Sequence, residues 1–83
     1  MAHNVFIYAL STCPYCRMTK KYLTENNVEY DFVDVDLLPQ AELKTVLEDV
    51  RKYNPQTSFP TILIGDKVIV GYREVEILEA LGL

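Results

Sequence analysis

Two cysteines three positions apart are the feature of this sequence best suited to chemistry. They stand in the run Cys13-Pro14-Tyr15-Cys16, and the 83-residue chain contains no other cysteine. Two cysteines are too few for the disulfide framework of a small secreted domain. Their spacing is instead typical of thiol–disulfide chemistry or of half a metal site.

The elements predicted around this pair favour redox chemistry. Cys13 lies where a predicted strand turns into a predicted helix, so the free N–H groups and the helix dipole would stabilise its thiolate. Cys16 follows one turn later on the same side. Cys13 could therefore attack a substrate disulfide, and Cys16 could then attack the Cys13 sulfur and release the reduced substrate. Pro14 suits the first helical turn, and Tyr15 offers an aromatic ring beside the sulfur.

A metal site is the alternative that the residues leave open. Zinc in one subunit would need about four ligands, and His3 is the one histidine available beside the cysteines. We expect His3 to lie in a frayed chain terminus. Two subunits could share an iron–sulfur cluster or a metal ion through their cysteines, which would make the protein a carrier.

The segments that must position the cysteines alternate between strand and helix patterns. Strands are predicted at residues 4–10, 30–35, 61–64 and 67–70. Helices are predicted at about residues 14–26, 39–53 and 73–81. Gly65-Asp66 would form the two-residue turn of a hairpin. The order β-α-β-α-β-β-α predicts a right-handed parallel crossover followed by the hairpin, and therefore a three-layer α/β fold in which three helices pack on a mixed four-stranded sheet.

The spacing of apolar residues predicts one apolar face on each helix. In the first helix this face carries Tyr15, Met18 and Tyr22. In the second it carries Leu43, Val46, Leu47 and Val50. In the third, Val75, Ile77, Leu78 and Leu81 are expected to face inward. Four tyrosines stand at spacings that predict packing in the core, namely Tyr8, Tyr22, Tyr30 and Tyr53.

Most charged residues are expected to face solvent. Lys20 and Lys21 predict a solvated helix face, and four carboxylates are expected to solvate the edge of the second strand: Glu29, Asp31, Asp34 and Asp36. Arg17 and Arg73 could instead favour the thiolate or hold an anionic ligand.

A proline loop supplies the second part of the predicted site. Pro60 directly precedes the third strand, where a proline is tolerated only at the start or on an edge. A cis peptide bond there would make a tight turn. The backbone N–H and C=O of Phe59 would then be free to pair with an extended substrate, in the manner of an added strand.

Composition excludes several classes of protein. With 49% hydrophobic and 24% charged residues, the chain is neither disordered nor of low complexity. A net charge of −4 disfavours binding to nucleic acid. The longest apolar run is far shorter than the ~20 residues that span a bilayer. In the absence of a charged leader, we expect a soluble cytoplasmic protein that does not bind membranes.

Over essentially its whole length, the chain resembles the glutaredoxin branch of the thioredoxin superfamily. The resemblance rests on the C-P-Y-C run, on Ser58-Phe59-Pro60 and on Val70-Gly71-Tyr72 before the last helix. It implies a thioredoxin-like fold with cis Pro60, a nucleophilic Cys13 and a resolving Cys16. Substrate would be bound by Pro14, Tyr15, Ser58, Phe59, Pro60, Gly71, Tyr72 and Arg73.

The resemblance also implies partners. It predicts a monomer that acts on disulfide-containing proteins without a bound organic cofactor, with electrons from glutathione or from a protein reductase. Glutaredoxins typically carry a basic residue where Leu10 stands, Thr-Val where Ser58-Phe59 stands and often the first residue of an acidic pair where Arg73 stands. The run Gly71-Tyr72-Arg73 is more similar to redoxins that serve ribonucleotide reductase and take electrons from thioredoxin reductase. A ferredoxin-linked reductase is a further possible donor. Thioredoxins proper carry a Trp before the first cysteine, and this chain has no Trp.

Overall fold

A computed structural model describes residues 4–82 of the chain, so the prediction for His3 lies outside the described residues. The strands are β1 (Val5–Ala9), β2 (Asp31–Asp34), β3 (Thr61–Ile64) and β4 (Lys67–Val70). The helices are α1 (Pro14–Glu25), α2 (Gln40–Tyr53) and α3 (Glu74–Leu81). A short 3-10 turn, Val35–Leu37, follows β2. It takes Val35 out of the predicted second strand, and the other predicted elements end within one residue of the observed ones.

The four strands form one mixed sheet in the order β2-β1-β3-β4. β1 and β2 run parallel, as the predicted crossover requires, and the other two neighbouring pairs are antiparallel. Gly65 adopts a φ of +60°, which suits a glycine in the tight turn between β3 and β4. The predicted α/β architecture is confirmed.

The main core lies between one face of this sheet and the helices α1 and α3. Alternate residues of β1 are buried on this face, and Ile7 is fully buried. Leu23 of α1 and Ile77 of α3 are equally inaccessible and belong to the same apolar cluster. On the opposite face, burial, followed by the charge of Asp49 and the proximity of Tyr53 in α2, raises the pKa of Tyr8.

The apolar face of α1 is not the side that the sheet covers, and one residue of the predicted inward face of α3 is exposed. The buried residues of α1 are Cys16, Thr19 and Leu23, whereas Tyr15 and Met18 are 59% and 46% exposed. The small side chains of Cys16 and Thr19 allow the helix to lie close to the sheet, and the aromatic side is left at the surface. Val75, in the first turn of α3, is also exposed.

The second helix packs as predicted, with Val50 fully buried and the other three apolar positions of its face partly covered. Tyr53 at its end is 45% exposed, so the prediction that this tyrosine lies in the core is wrong. A side chain in the last turn of a helix projects beyond the sheet that the earlier turns cover.

Candidate active site

The two cysteines lie at the point where β1 passes into α1. The chain turns through Leu10, whose carbonyl accepts the N–H of Cys13 at 3.1 Å. Cys13 is the N-cap of the helix, and its Sγ accepts the backbone N–H of Cys16 at 3.4 Å. Pro14 occupies the first helical position, where a missing N–H costs nothing. The sulfur of Cys13 therefore takes the place of the oxygen that usually caps a helix.

The two thiols differ in how far they are buried. Cys13 is half-buried, whereas Cys16 has no accessible surface. The backbone N–H of Leu10 points at the Cys16 sulfur at 3.5 Å. Burial, followed by the hydrogen bond to Cys13, raises the pKa of Cys16 to about 12. Solvent can therefore reach the Cys13 thiol, and the Cys16 thiol is buried beneath the helix one turn further on.

The proline loop faces the exposed sulfur. The Phe59–Pro60 peptide bond is cis, and Pro60 is buried at the start of β3. The carbonyl oxygen of Phe59 lies 4.0 Å from Cys13 Sγ. The carbonyl of Pro60 accepts the N–H of Gly71 at 2.9 Å, which ties the loop to the end of β4. The backbone of Phe59 is therefore presented beside the reactive sulfur.

Asn54 holds this loop in place, a role that its position before Pro55 did not suggest. It is 3% exposed, and its Nδ2 donates to the carbonyl and the hydroxyl of Ser58 at 3.0 Å each and to Thr61 Oγ1 at 3.2 Å. Thr57, within the loop, adopts a φ of +49°, which non-glycine residues rarely do. The sequence signalled only that a helix ends at Asn54.

An open groove of about 350 Å³ borders Phe59, whose carbonyl oxygen lies 4.0 Å from Cys13 Sγ. Its lining consists of Tyr15, Phe59, Pro60, Val70, Gly71, Tyr72 and Arg73. Six of the eight residues predicted to bind substrate are among these. Pro14 and Ser58 are not in the lining. Ser58 is engaged by Asn54. A larger open depression of about 760 Å³ lies around Phe6 and Tyr30, and its lining includes no residue of the proline loop.

Two polar side chains of the groove are already engaged. The hydroxyl of Tyr72 donates to Glu74 at 2.6 Å, and this bond raises the pKa of Tyr72 to about 12. Arg73 donates from Nε to the carbonyl of Val70 at 3.1 Å and lies 3.4 Å from a carboxylate oxygen of Glu76. The exposed Arg73 is therefore held along the first turn of α3.

Charged groups behind the cysteines correct two of the predictions. Lys20 does not lie on a solvated face, because its Nζ is 3.1 Å from Asp34 Oδ1 and the two side chains are 19% and 20% exposed. Lys21 is 79% exposed, as predicted. Asp34 is therefore an ion-pair partner and not an edge carboxylate. Asp36 accepts both the N–H and the hydroxyl of Ser11, at 2.8 and 2.5 Å.

The sequence contained a signal for Lys20 that the predictions did not use. Lys20 stands four residues after Cys16, and residues at this spacing lie on the same side of a helix. Once Cys16 is placed on the sheet side of α1, Lys20 must follow it. The signal was missed because the side of α1 that meets the sheet was not predicted.

Comparison with known proteins identifies the family. The family model for glutaredoxin matches residues 5–69. The chain belongs to the glutaredoxin family. A glutaredoxin-like 8.6 kDa protein from the rubredoxin operon of Clostridium pasteurianum is 38% identical over 71 residues, which cover 86% of this chain and 88% of that protein.

Solved structures agree with this assignment of the glutaredoxin fold. The crystal structure of methanoredoxin from Methanosarcina acetivorans has a TM-score of 0.91 and 43% identity, covering 96% of this chain and 85% of that one. The glutaredoxin from Methanosarcina mazei Go1 has a TM-score of 0.89 and 48% identity, covering 96% and 79%.

As a glutaredoxin, the protein is a thiol–disulfide oxidoreductase, with disulfides as substrates and a reductase as partner in general terms. Within residues 4–82, no helix is both long enough and apolar enough to cross a bilayer. In the same range, no three His, Cys, Asp or Glu side chains are grouped so that they could hold a metal ion. The carrier that the sequence left open gains no support from this part of the chain or from the relatives.

Proposed function

We propose that this glutaredoxin reduces protein disulfides by a two-thiol mechanism in which Cys13 attacks and Cys16 resolves. The observation that carries the proposal is the arrangement of the two sulfurs. Cys13 caps α1 at the surface, and Cys16 is fully buried one turn behind it, with its N–H directed at the Cys13 sulfur at 3.4 Å. A substrate can therefore reach one thiol only, and the second thiol is already adjacent.

The cycle consists of two exchanges of sulfur. The thiolate of Cys13 attacks one sulfur of a substrate disulfide, and the other substrate sulfur leaves as a thiolate and takes up a proton. Cys16 then loses its proton and attacks Cys13, and the substrate leaves as its second thiol. Two electrons pass to the substrate, and the protein is left with a Cys13–Cys16 disulfide.

A peptide substrate fits the groove better than an isolated small disulfide does. The carbonyl of Phe59 lies beside Cys13 Sγ, where an extended chain could pair with it as an added strand. Tyr15 and Tyr72 flank this path and offer large, rigid surfaces for contact. Backbone pairing gives affinity without strict sequence preference, which suits a reductase with several substrates.

The oxidised protein must recover two electrons, from glutathione or from a protein dithiol. Leu10 stands where a basic side chain would hold a carboxylate of glutathione, and Arg73 is engaged by Glu76. Both features favour a protein reductase, such as thioredoxin reductase or a ferredoxin-linked reductase. No bound organic cofactor is required in either case.

Single substitutions test the mechanism directly. Cys13→Ser should abolish reduction of a protein disulfide, and Cys16→Ser should accumulate a mixed disulfide on Cys13 that intact mass spectrometry detects. Lys21→Met, on the exposed side of the same helix, is the control and should turn over normally. Full activity of Cys13→Ser would overturn the proposal.

The donor is tested on the oxidised wild-type protein. Glutathione is added first, and the intact mass is followed for a glutathionyl adduct and for loss of the disulfide. We expect the disulfide to survive glutathione and to be reduced by a strong dithiol. Rapid reduction through an adduct on Cys13 would instead identify glutathione as the donor.

A further inference from the structure

The ion pair between Lys20 and Asp34 lies on the same side of α1 as the buried thiol. Lys20 follows Cys16 by one helical turn, and its Nζ is 3.1 Å from Asp34 Oδ1 at the end of β2. The same Nζ lies 3.8 Å from the ring centroid of Phe32. A carboxylate and an aromatic face both attract a cation, so the ammonium group is held beneath the helix rather than in solvent.

A positive charge at this position favours the resolving step, in which Cys16 must lose its proton. Cys16 is fully buried, and burial opposes loss of its proton. In the reduced protein, the hydrogen bond and the charge of Cys13 also raise the Cys16 pKa. Once Cys13 is bonded to a substrate, its sulfur is neutral and this charge is gone. The groups that then favour the Cys16 thiolate are the N–H of Leu10 and the ammonium of Lys20.

We propose that Lys20 is a positioning residue for the second exchange: fixed by Asp34 and Phe32, its ammonium stabilises the thiolate of Cys16 as that thiolate attacks Cys13. This inference rests on the proposed function, because it assigns a role within the resolving step. Lys20 touches neither the substrate nor the attacking sulfur of the first step. Its removal should therefore slow one exchange and leave the other unchanged.

The exchange keeps its atoms and electrons in balance. Cys16 gives up its proton, its sulfur forms a bond with the Cys13 sulfur, and the bond between Cys13 and the substrate breaks. The leaving substrate thiolate takes up one proton, so no net charge is left in the core. Lys20 keeps its own proton throughout and acts only through its charge.

The other charged groups nearby are carboxylates, and their charges partly offset that of Lys20 at the thiol. Asp34 on β2 pairs with it directly, and Lys20 is one of the groups that lower the pKa of Asp36 in the following 3-10 turn. The groups that shift the pKa of Cys16, besides burial, are Cys13, Leu10 and Lys20. Lys20 is the single cation in that set.

The test measures the two exchanges separately. With the reduced protein and a disulfide-bonded protein substrate, rapid acid quench and intact mass give the rate at which the mixed disulfide resolves. In a Cys16→Ser background, the same assay gives the rate of the first attack alone. Lys20→Met is compared with Lys20→Arg, which keeps the charge, and with Lys21→Met, which removes an exposed charge one residue away.

We expect resolution to be about three- to fivefold slower in Lys20→Met. Each unit by which the Cys16 pKa rises lowers the thiolate fraction about tenfold, and the higher nucleophilicity of a more basic thiolate recovers part of this. Lys20→Arg should resolve within twofold of the wild-type rate, and Lys21→Met should match it. The first attack should be unchanged in Lys20→Met/Cys16→Ser.

A double variant separates the loss of the Lys20 charge from the effect of an unpaired Asp34. Lys20→Met leaves the carboxylate of Asp34 unpaired, whereas Lys20→Met/Asp34→Asn removes both charges, and this double variant should still resolve more slowly than wild type. Resolution at the wild-type rate in the double variant would overturn the role of Lys20, and so would equal slowing of both exchanges. If the Cys16→Ser parent formed no mixed disulfide, the proposed function itself would fail, whatever Lys20 does.

Discussion

The sulfur of Cys13 accepts the backbone N–H of Cys16 at 3.4 Å, so the more accessible of the two thiols is also the N-cap of the helix that carries the buried one. The first N–H groups of a helix have no partner within it and need an acceptor. A single side chain therefore serves both the stability of α1 and the chemistry of the site. These two roles can be separated by substitution.

Replacing Cys13 should reveal its capping role. Serine is among the best N-cap residues and alanine is poor, so Cys13→Ser should be about 1 kcal/mol more stable than Cys13→Ala. Both variants should be inactive as reductases. Urea denaturation of the two variants under reducing conditions gives the free energies of unfolding. Equal stabilities would show that the cap contributes nothing to the helix.

The hydrogen bonds between Ser11 and Asp36 predict how the stability of the fold depends on pH. The hydroxyl of Ser11, followed by its N–H, lowers the pKa of Asp36 below its ordinary value of 3.8. Because the folded-state pKa is depressed, this contribution to stability is complete above about pH 4 and is lost as the pH falls through the lowered value. Ser11→Ala should therefore raise the pKa of Asp36, although not fully, since the N–H bond remains.

Carboxyl NMR titration of Asp36 provides the measurement. Thr12→Ala is the control, because Thr12 is exposed and adjacent in sequence but is not among the groups that shift Asp36. The stability difference between wild type and Ser11→Ala should also shrink below about pH 4. An unchanged Asp36 titration in Ser11→Ala would contradict the role given to the hydroxyl.

Local patterns in the sequence were enough to predict the topology and the reactive pair. The strands Thr61–Ile64 and Lys67–Val70 were predicted to the residue, because Gly65-Asp66 fixes the turn and thereby the register of both. The Cys13–Cys16 arrangement followed from a strand that leads into a helix. Each of these features depends on residues close together along the chain.

The parts that the sequence did not predict depend on packing between distant segments. The side of α1 that meets the sheet depends on how closely the helix can approach the strands. The small side chains of Cys16 and Thr19 lie on that side, and the larger side chains of Tyr15 and Met18 are left exposed. The ion pair of Lys20 follows from that choice. The spacing of Lys20 from Cys16 locates the lysine against the sheet only once that side of α1 is known.

A basic residue at position 10 should increase the use of glutathione. Leu10→Lys places an ammonium group where glutaredoxins typically hold a carboxylate of that ligand. An exposed ion pair contributes up to about 1 kcal/mol, so the KM for glutathione should fall by at most about fivefold. Steady-state reduction with glutathione as donor gives this value. Val68→Lys adds the same charge to β4 outside the groove lining and should leave KM unchanged.

Asn54, at the end of α2, should hold the proline loop in position through its hydrogen bonds. Its amide binds Ser58 and Thr61, and its Oδ1 accepts the N–H of Gln56 at 3.2 Å. Asn54→Ala removes these bonds inside a buried site and should lower the free energy of unfolding by about 2 kcal/mol. The loop that carries Phe59 should also loosen, so reductase turnover should fall even at temperatures where the variant is fully folded.

Two measurements separate the effect on the loop from the effect on the fold. Hydrogen exchange of the Thr57 amide, which donates to the Asn54 carbonyl at 2.9 Å, reports on the loop, and urea denaturation reports on the whole domain. Gln56→Ala is the control, since only the backbone of Gln56 is engaged by Asn54, and it should change stability by less than about 0.5 kcal/mol. If Asn54→Ala lost stability but kept normal turnover and protected Thr57, Asn54 would support the core alone and not the substrate-docking backbone.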